Sequence, residues 1–461
     1  MCPPDCETQS QSRDSDAVPL AGGLRPRAER MTLRTLIFWP HLIAGVVAGA
    51  VVLIMSVTGL LLTYERQLNA WSDSEFRSSP SAQGTARLSV EDIVTTVRRD
   101  HPDVEVGAVT FNSRADAPVS IAAGRQAIYA DAYTGRVLGE GNQGMRAFMS
   151  EVRAWHRWLS IEGEARPFAR AITGWSNTLF LFIVCSGFYL WFPRKWTWQR
   201  VRPVVLFSRS LRGKARDFNW HNVIGLWSCV PLFIVVLTAM PISFPWANAL
   251  VYRAVGEEPP QQGGRGGREG GGSEGAAANA RGRESGARRG GAPEGGAARE
   301  RRERSDGDRV ESRPSQEIPS VAGLNALWTV AEKQITGWRT INVRIPASDR
   351  APVVFAIDKG DGGQPQHRST LTLNRATGEV VSFEAFSDQS LGRRLRSLSR
   401  FAHTGEVLGL PGQTIAGLAT AGAVVLVWTG IALTLRRFRA WVARRGKRQI
   451  EVAAARDASA A

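Results

Sequence analysis

Cysteine is scarce and poorly placed for cross-linking: the chain has four, Cys2, Cys6, Cys185 and Cys229. Two sit in a polar leader and two inside apolar runs, so no disulfide framework holds any part of the chain together. Cys2 and Cys6 have no further ligand nearby, which leaves them short of a structural metal site. Histidine is also rare, with six in 461 residues. Aspartate and glutamate are missing from the long apolar runs altogether. That absence removes the carboxylate chain that an intramembrane proton relay would use.

What is present is four long apolar runs: Phe38–Leu62, Gly174–Phe192, Val223–Trp246 and Pro411–Leu435. Each is close to the roughly 20 residues that a helix needs to cross a ~30 Å hydrocarbon core. The overall 43% hydrophobic and 22% charged residues would suit a soluble protein if evenly spread; they are not evenly spread. The first run is too long for a signal-peptide core and lacks a small-x-small cleavage site after it. Four membrane spans are expected, over 36–66, 170–194, 219–247 and 411–436. Arg25, Arg27, Arg30 and Arg34 precede the first span, which favours a cytoplasmic N-terminus. The basic loop 195–218 and the basic tail 437–461 then fall on the cytoplasmic side. The formal charge of +16 is accounted for by this positive-inside bias, and no nucleic-acid partner is implied. No G-x-G-x-x-G fingerprint occurs in the cytoplasmic segments, which are too short for a dinucleotide-binding domain.

The regions between spans one and two, and three and four, are expected outside. Each has a helical pattern followed by strand patterns: "SVEDIVTTVRRDHP" then "EVGAVTFN", "PVSIAAG" and "AIYADAYTGRVLGE"; "AGLNALWTVAEKQIT" then "RTINVRI", "PVVFAID" and "STLTLNRATGEVVSFE". The Thr-Gly pairs read as tight turns with glycine at positive φ. Outer α+β domains are expected at 85–142 and 320–387, followed by outer helices at 145–166 and 388–406. Gly135 and Gly378, Gly174 and Gly417, and Gly187 and Gly430 are all 243 positions apart. His41 and His221, Gly45 and Gly225, and Thr58 and Thr238 share an offset of 180. The expected fold is therefore an α-helical membrane protein with four spans and two extracytoplasmic α+β domains, built by internal duplication. The leader 1–35 and the Gly/Arg/Glu-rich stretch 257–316 are too poor in large apolar side chains to order themselves, and read as disordered.

Four of the six histidines fall into two pairs. His41, in "WPHLIAG", and His221, in "NWHNVIG", open spans one and three at the cytoplasmic end. His156, in "AWHRW", and His403, in "FAHTGEVLG", precede spans two and four on the outer side. His101 and His367 read as surface residues. A single interfacial histidine is as readily a snorkelling polar residue, but two pairs in matching positions point to function. One imidazole from each side suits haem iron slotted between helices. Gly45 and Gly225, one turn beyond His41 and His221, would leave room for a flat macrocycle. Arg34 and Arg194 inside, and Arg153, Arg157 and Arg400 outside, are candidates to pair with propionates, or equally interfacial anchors. Zinc lacks ligands here, with Glu406 the only close carboxylate. By the 243 offset His156 aligns with Ser399, one helical turn from His403.

These elements together resemble the PepSY-associated transmembrane-helix family, over about residues 31–440 without the linker. "YADAYTGRVLGE" and "LTLNRATGEVVSF" resemble PepSY domains. The resemblance implies an inner-membrane protein carrying two b-type haems, with His41, His156, His221 and His403 as ligands, that reduces ferric siderophores. The expected function is transmembrane electron transfer to a ferric chelate on the periplasmic side, with electrons from a separate reductase or the quinol pool. Trp155, Trp158 and Arg157 are the expected docking residues for the acceptor. The alternative is a non-enzymatic membrane-anchored PepSY scaffold or regulator that binds a peptidase or sensor; a transporter is disfavoured, since Pro231 and Pro241 are the only hint of a broken helix.

Overall fold

The computed structural model describes residues 32–80, 85–124, 126–193, 195–260, 320–346 and 348–460. Residues 1–31, nearly all of the expected leader, and 261–319, nearly all of the linker, lie outside the described residues. Arg194 does too.

Four helices are long and apolar enough to span a membrane: α1 (Leu33–Thr63), α5 (Arg166–Trp191), α7 (Gly213–Ser243) and α11 (Gly409–Ala460). Their apolar side chains point both inward and outward, as a helix bathed in lipid requires; Val46, Val47, Phe182, Val230 and Leu418 are all exposed. The interior is lined with small residues instead, including Ala44, Ala48, Gly49, Ser176, Ala419 and Ala423. Small side chains let backbones approach where no hydrophobic effect drives helix pairing. α1 packs on α5 and α11, and α7 packs on the same two. α1 and α7 therefore sit on one diagonal of the bundle.

The last helix does not stop near residue 436. It runs 52 residues, about 78 Å at 1.5 Å per residue. Arg436 bonds Asp217 at 2.8 Å and Arg437 stacks on Phe38 and Trp39 at 4.9 and 5.0 Å. Those contacts root the basic extension on α1 and α7.

At the other end of the bundle lies an eight-stranded antiparallel sheet in the order β4-β3-β2-β1-β5-β6-β7-β8. β1 (Val106–Asn112), β2 (Val119–Ala123), β3 (Gln126–Ala130) and β4 (Val137–Glu140) come from the first outer region; β5 (Thr340–Arg344), β6 (Val353–Asp358), β7 (Arg368–Leu373) and β8 (Val380–Ala385) from the second. Two separate domains were expected. The strands instead form one sheet, because β1 pairs with β5 and brings Val109 opposite Val343 and Phe111 opposite Ile341. One face buries a single core, covered by α3 (Val90–Asp100) and α9 (Leu324–Gln334). Alternation makes the pattern: Ile121, Ile341, Val343, Phe355 and Leu371 are fully buried, while their neighbours along each strand face the opposite side. Both Thr-Gly turns have the expected glycine, Gly135 at φ 72° and Gly378 at φ 70°.

The polar face of the sheet stands on two short helices, α4 (Gln143–Trp158) and α10 (Leu391–His403). Tyr129 of β3 donates to Asp73 at 2.9 Å, and Arg146 of α4 reaches the same carboxylate. Arg393 of α10 bonds Glu384 of β8 at 3.0 Å, and Arg368 of β7 lies over Phe401 at 5.2 Å. Both helices begin at a side-chain cap: Asn142 accepts from the Met145 amide at 2.9 Å, and Ser390 from Arg393 at 3.3 Å. They also stop abruptly. Leu159 and Ser160 take left-handed backbone after α4. After α10 the chain turns at Gly405, φ 77°, where a Cβ would lie 2.6 Å from the Gly412 carbonyl oxygen, so only glycine fits.

Candidate functional site

Those two stops place His156 two residues from the end of α4 and His403 at the last position of α10. Their ring centres are 6.1 Å apart with planes at 49°. His41 on α1 and His221 on α7 occupy the diagonal at the other end, each against a neighbouring helix, His41 beside Gly187 of α5 and His221 beside Gly430 of α11. The four histidines thus come together as two pairs, and His101 and His367 are exposed.

Each ring is held by its Nδ1. His41 meets the Ser186 hydroxyl of α5 at 2.8 Å, His221 the Thr429 hydroxyl of α11 at 2.9 Å, and His156 the Thr58 hydroxyl of α1 at 3.1 Å. A hydroxyl has one proton to give, and here it is already used. Ser186 donates to Phe182 O at 2.6 Å, Thr429 to Val425 O at 2.8 Å and Thr58 to Ile54 O at 2.6 Å. The hydroxyl oxygen is left to accept, so the neutral imidazole donates from Nδ1–H. His403 reaches the same result by another route, since its Nδ1 lies 2.8 Å from Val235 O, which can only accept. The carbonyl beside His403 fixes its proton on Nδ1 and its lone pair on Nε2; the other three rings share that tautomer when each hydroxyl keeps its proton on the helix carbonyl.

This is the arrangement a metal-ligating imidazole needs, with the second nitrogen anchored and the first unprotonated. The 6.1 Å between the outer rings matches two imidazoles on one ion. Two metal–nitrogen bonds of about 2 Å, and about 1 Å from each nitrogen to its ring centre, sum to about 6 Å. Among the described residues no three His, Cys, Asp or Glu side chains gather to hold a metal, so a tetrahedral all-protein site is not formed there. Glu406 is engaged by Arg66 at 2.9 Å and Thr404 at 2.7 Å. The donor set is two nitrogens per site, which fits haem iron.

Glycines make room for the rings. A Cβ on Gly187 would lie 3.2 Å from His41 Cε1, on Gly59 3.1 Å from His156 Cε1, and on Gly430 3.5 Å from His221 Cε1. Gly45 and Gly225 do something different: a Cβ on Gly45 meets nothing within 4 Å, and on Gly225 only Leu426 at 3.7 Å. They border open space beside the bundle and do not touch the rings. Ser186, Thr429 and Gly59 were not singled out from the sequence, although Ser186 and Thr429 are 243 positions apart.

The arginines divide. Arg34 bonds the carbonyls of Leu190 and Phe192 at the end of α5, and Arg153 pairs with Glu65. Arg157 and Arg166 both lie over the Trp158 ring, at 4.9 and 3.8 Å, and Arg400 lies over Phe401 at 5.3 Å. Burial, then the guanidiniums of Arg170, Arg166, Arg153 and Arg400, lower Arg157 from its ordinary value. Trp155 is exposed on α4. Burial also lowers His156 to about 4 and lowers His403, each still neutral at pH 7.

A family model described as the PepSY-associated TM region matches residues 38–447. That range takes in all four spanning helices, the sheet and the four histidines. No curated protein matches the chain.

Proposed function

The chain belongs to the PepSY-associated TM region family, and from that premise we propose that it is a di-haem electron-transfer protein of the bacterial inner membrane. Two b-type haems are held, one by His41 and His221 and one by His156 and His403. When bound, such a haem accepts and passes on single electrons at its iron. The observation that carries this reading is that all four rings are anchored through Nδ1, to a hydroxyl or a carbonyl, which keeps Nε2 of each for a ligand. A scaffold with interfacial histidines has no need of that uniformity.

The basic extension and the loop before α7 are cytoplasmic, with both termini, and the sheet is periplasmic. The chain arose by internal duplication. Supporting this, Asp131 and Asn374, 243 positions apart, each receive the amides that follow them in the same turn, Tyr133 and Thr134 at 2.9 Å, Ala376 at 2.9 Å and Thr377 at 3.2 Å. The likeness extends to the rings, since Met55 and Val235, which face His156 and His403, are 180 positions apart.

The terminal acceptor is a ferric chelate of the siderophore type, docking beside Trp155, Trp158 and Arg157. The protein contributes orientation of the ligand nitrogens, exclusion of water by the bundle, and cationic side chains at the acceptor face. Arg157, beside His156 and near Arg400, complements anionic groups there, while Arg153 is already paired with Glu65.

Purification in mild detergent and a reduced-minus-oxidised visible spectrum test the reading. Two low-spin b-type haems per chain are expected, one lost on His41→Ala and the other on His403→Ala. A protein that stays colourless after incubation with haem overturns it and leaves the membrane-anchored scaffold.

A further inference from the structure

On the basic side of the bundle a pocket of about 570 Å³ opens beside α7. Phe207, Ser208 and Arg209 form its lip, Trp220 its side, and Ile224 and Val425 its back wall. The lip is not a loose loop. Asn219, 2% exposed, donates to Pro203 O at 2.6 Å and Leu206 O at 3.0 Å and accepts from the Ser208 amide at 3.1 Å. One buried side chain thereby fixes both ends of the segment that shapes the mouth, so the pocket is preformed. Trp220 and Phe207 meet edge-to-face at 6.3 Å, and Arg216 lies over Trp220 at 5.7 Å.

Its position matters. Trp220 is adjacent to His221, and Ile224 lies one turn further along α7. Val425 supplies the carbonyl to which Thr429, the hydroxyl partner of His221, donates at 2.8 Å. The back wall is therefore one helical turn from the imidazole and its clamp. Two walls are spanning helices, and the surrounding Phe207, Phe218, Trp220 and Trp227 are exposed. Phe218 and Trp220 lie within one turn at the start of the apolar part of α7, and large exposed aromatics at such a helix end mark the bilayer surface. A molecule dissolved in the membrane reaches this mouth without crossing water. The lining is largely apolar and aromatic, with the Ser208 hydroxyl and the guanidiniums of Arg209 and Arg216 to orient a polar ring.

We propose that this pocket binds the head group of a membrane quinol, the electron donor. The proposal rests on the electron-transfer reading above. Oxidation to the quinone breaks two O–H bonds; the two protons leave to water at the lip. The two electrons would be taken up singly by the haems of that reading.

Titration of the full chain in detergent with a short-chain ubiquinone, following tryptophan fluorescence, tests the pocket, because a quinone stacked on Trp220 quenches it. Saturable quenching is expected. Ile224→Trp, which fills the back wall, should raise the apparent Kd at least about tenfold, and Trp220→Phe should remove most of the saturable amplitude. Arg209→Gln, at the exposed lip, serves as a variant that leaves the fold intact and should weaken binding by several-fold. Linear quenching that is the same in all variants means partition into detergent only, and overturns the proposal. Saturable binding of flavin mononucleotide in place of the quinone overturns it as well. The titration needs no haem, so the two readings fail separately. A haem-loaded protein that binds no quinone loses only the pocket, whereas a colourless protein that binds it keeps the quinone site and loses the haem together with the donor role.

Discussion

Ser186 and Thr429 decide how their imidazoles present themselves. With the hydroxyl proton given to the helix carbonyl, each oxygen accepts and the ring offers Nε2 outward. Removing the hydroxyl leaves a buried N–H without its partner and frees the ring to turn or change tautomer. Ser186→Ala and Thr429→Ala should each weaken haem retention by about 10–100-fold, the range seen when such outer partners of metal ligands are lost. Ser186→Thr and Thr429→Ser should restore it. A haem off-rate measured by transfer to apomyoglobin checks this, and equal off-rates for alanine and conservative variants would remove the clamp from the account. The glycines make a paired prediction. Gly187→Ala sets a methyl 3.2 Å from His41 and should lower haem content, whereas Gly45→Ala meets nothing and should leave the haem-free protein within about 0.5 kcal/mol of the parent. If Gly45→Ala nevertheless lowers haem content, the macrocycle lies over that helix face, as the sequence suggested. The histidines were legible because they are rare, and because His41 and His221 repeat at one offset while His156 and His403 match to within one helical turn. Their hydroxyl partners were not, since serine and threonine are ordinary in spanning helices and only the packing of α1 on α5, and α7 on α11, reveals which of them face a ring.

At the level of elements, the spans were readable from run length alone, and the strands from alternation. The joined sheet was not. Pairing of β1 with β5 links residues more than two hundred positions apart, and nothing local in "EVGAVTFN" or "RTINVRI" names its neighbour. Had each outer region folded alone, β1 and β5 would be edge strands with unpaired backbone groups; joining them satisfies both edges and merges two small cores into one. Phe355, fully buried in the second half of that core, is a direct probe. Phe355→Ala should destabilise the sheet by about 3–5 kcal/mol. Because the core is shared, amide protection should fall in β1 and β2 as well as in β5 to β8. Hydrogen exchange read by mass spectrometry distinguishes the outcomes, and unchanged protection in β1 and β2 would mean that the halves unfold independently.

For the whole molecule, a haem held as proposed would compete with protons for the same four nitrogens, and the outer pair shows the sign. In the unfolded chain a histidine titrates near 6.5; in the folded protein burial holds His156 down to about 4 and lowers His403 in the same direction. Above pH 6.5 both states are neutral and stability is flat with respect to these groups. As pH falls from 6.5 towards 4, the unfolded chain takes up protons that the fold refuses, so the cofactor-free protein loses stability across that window. A shift of this size on His156 corresponds to about 3 kcal/mol by pH 4. Unfolding of the haem-free protein in detergent at pH 7.5, 6 and 5 should show progressively lower stability. A His156→Leu, His403→Leu double variant should show a shallower fall, because the groups that take up the protons are gone. In the haem-loaded protein Nε2 is occupied by iron, and acid must first displace a ligand, so stability should hold through pH 6 and then drop together with loss of the low-spin spectrum. A double variant as acid-sensitive as the parent would assign the effect to other groups. Coincidence of unfolding and spectral loss in the loaded protein would tie the fold's acid limit to the same nitrogens that carry its chemistry.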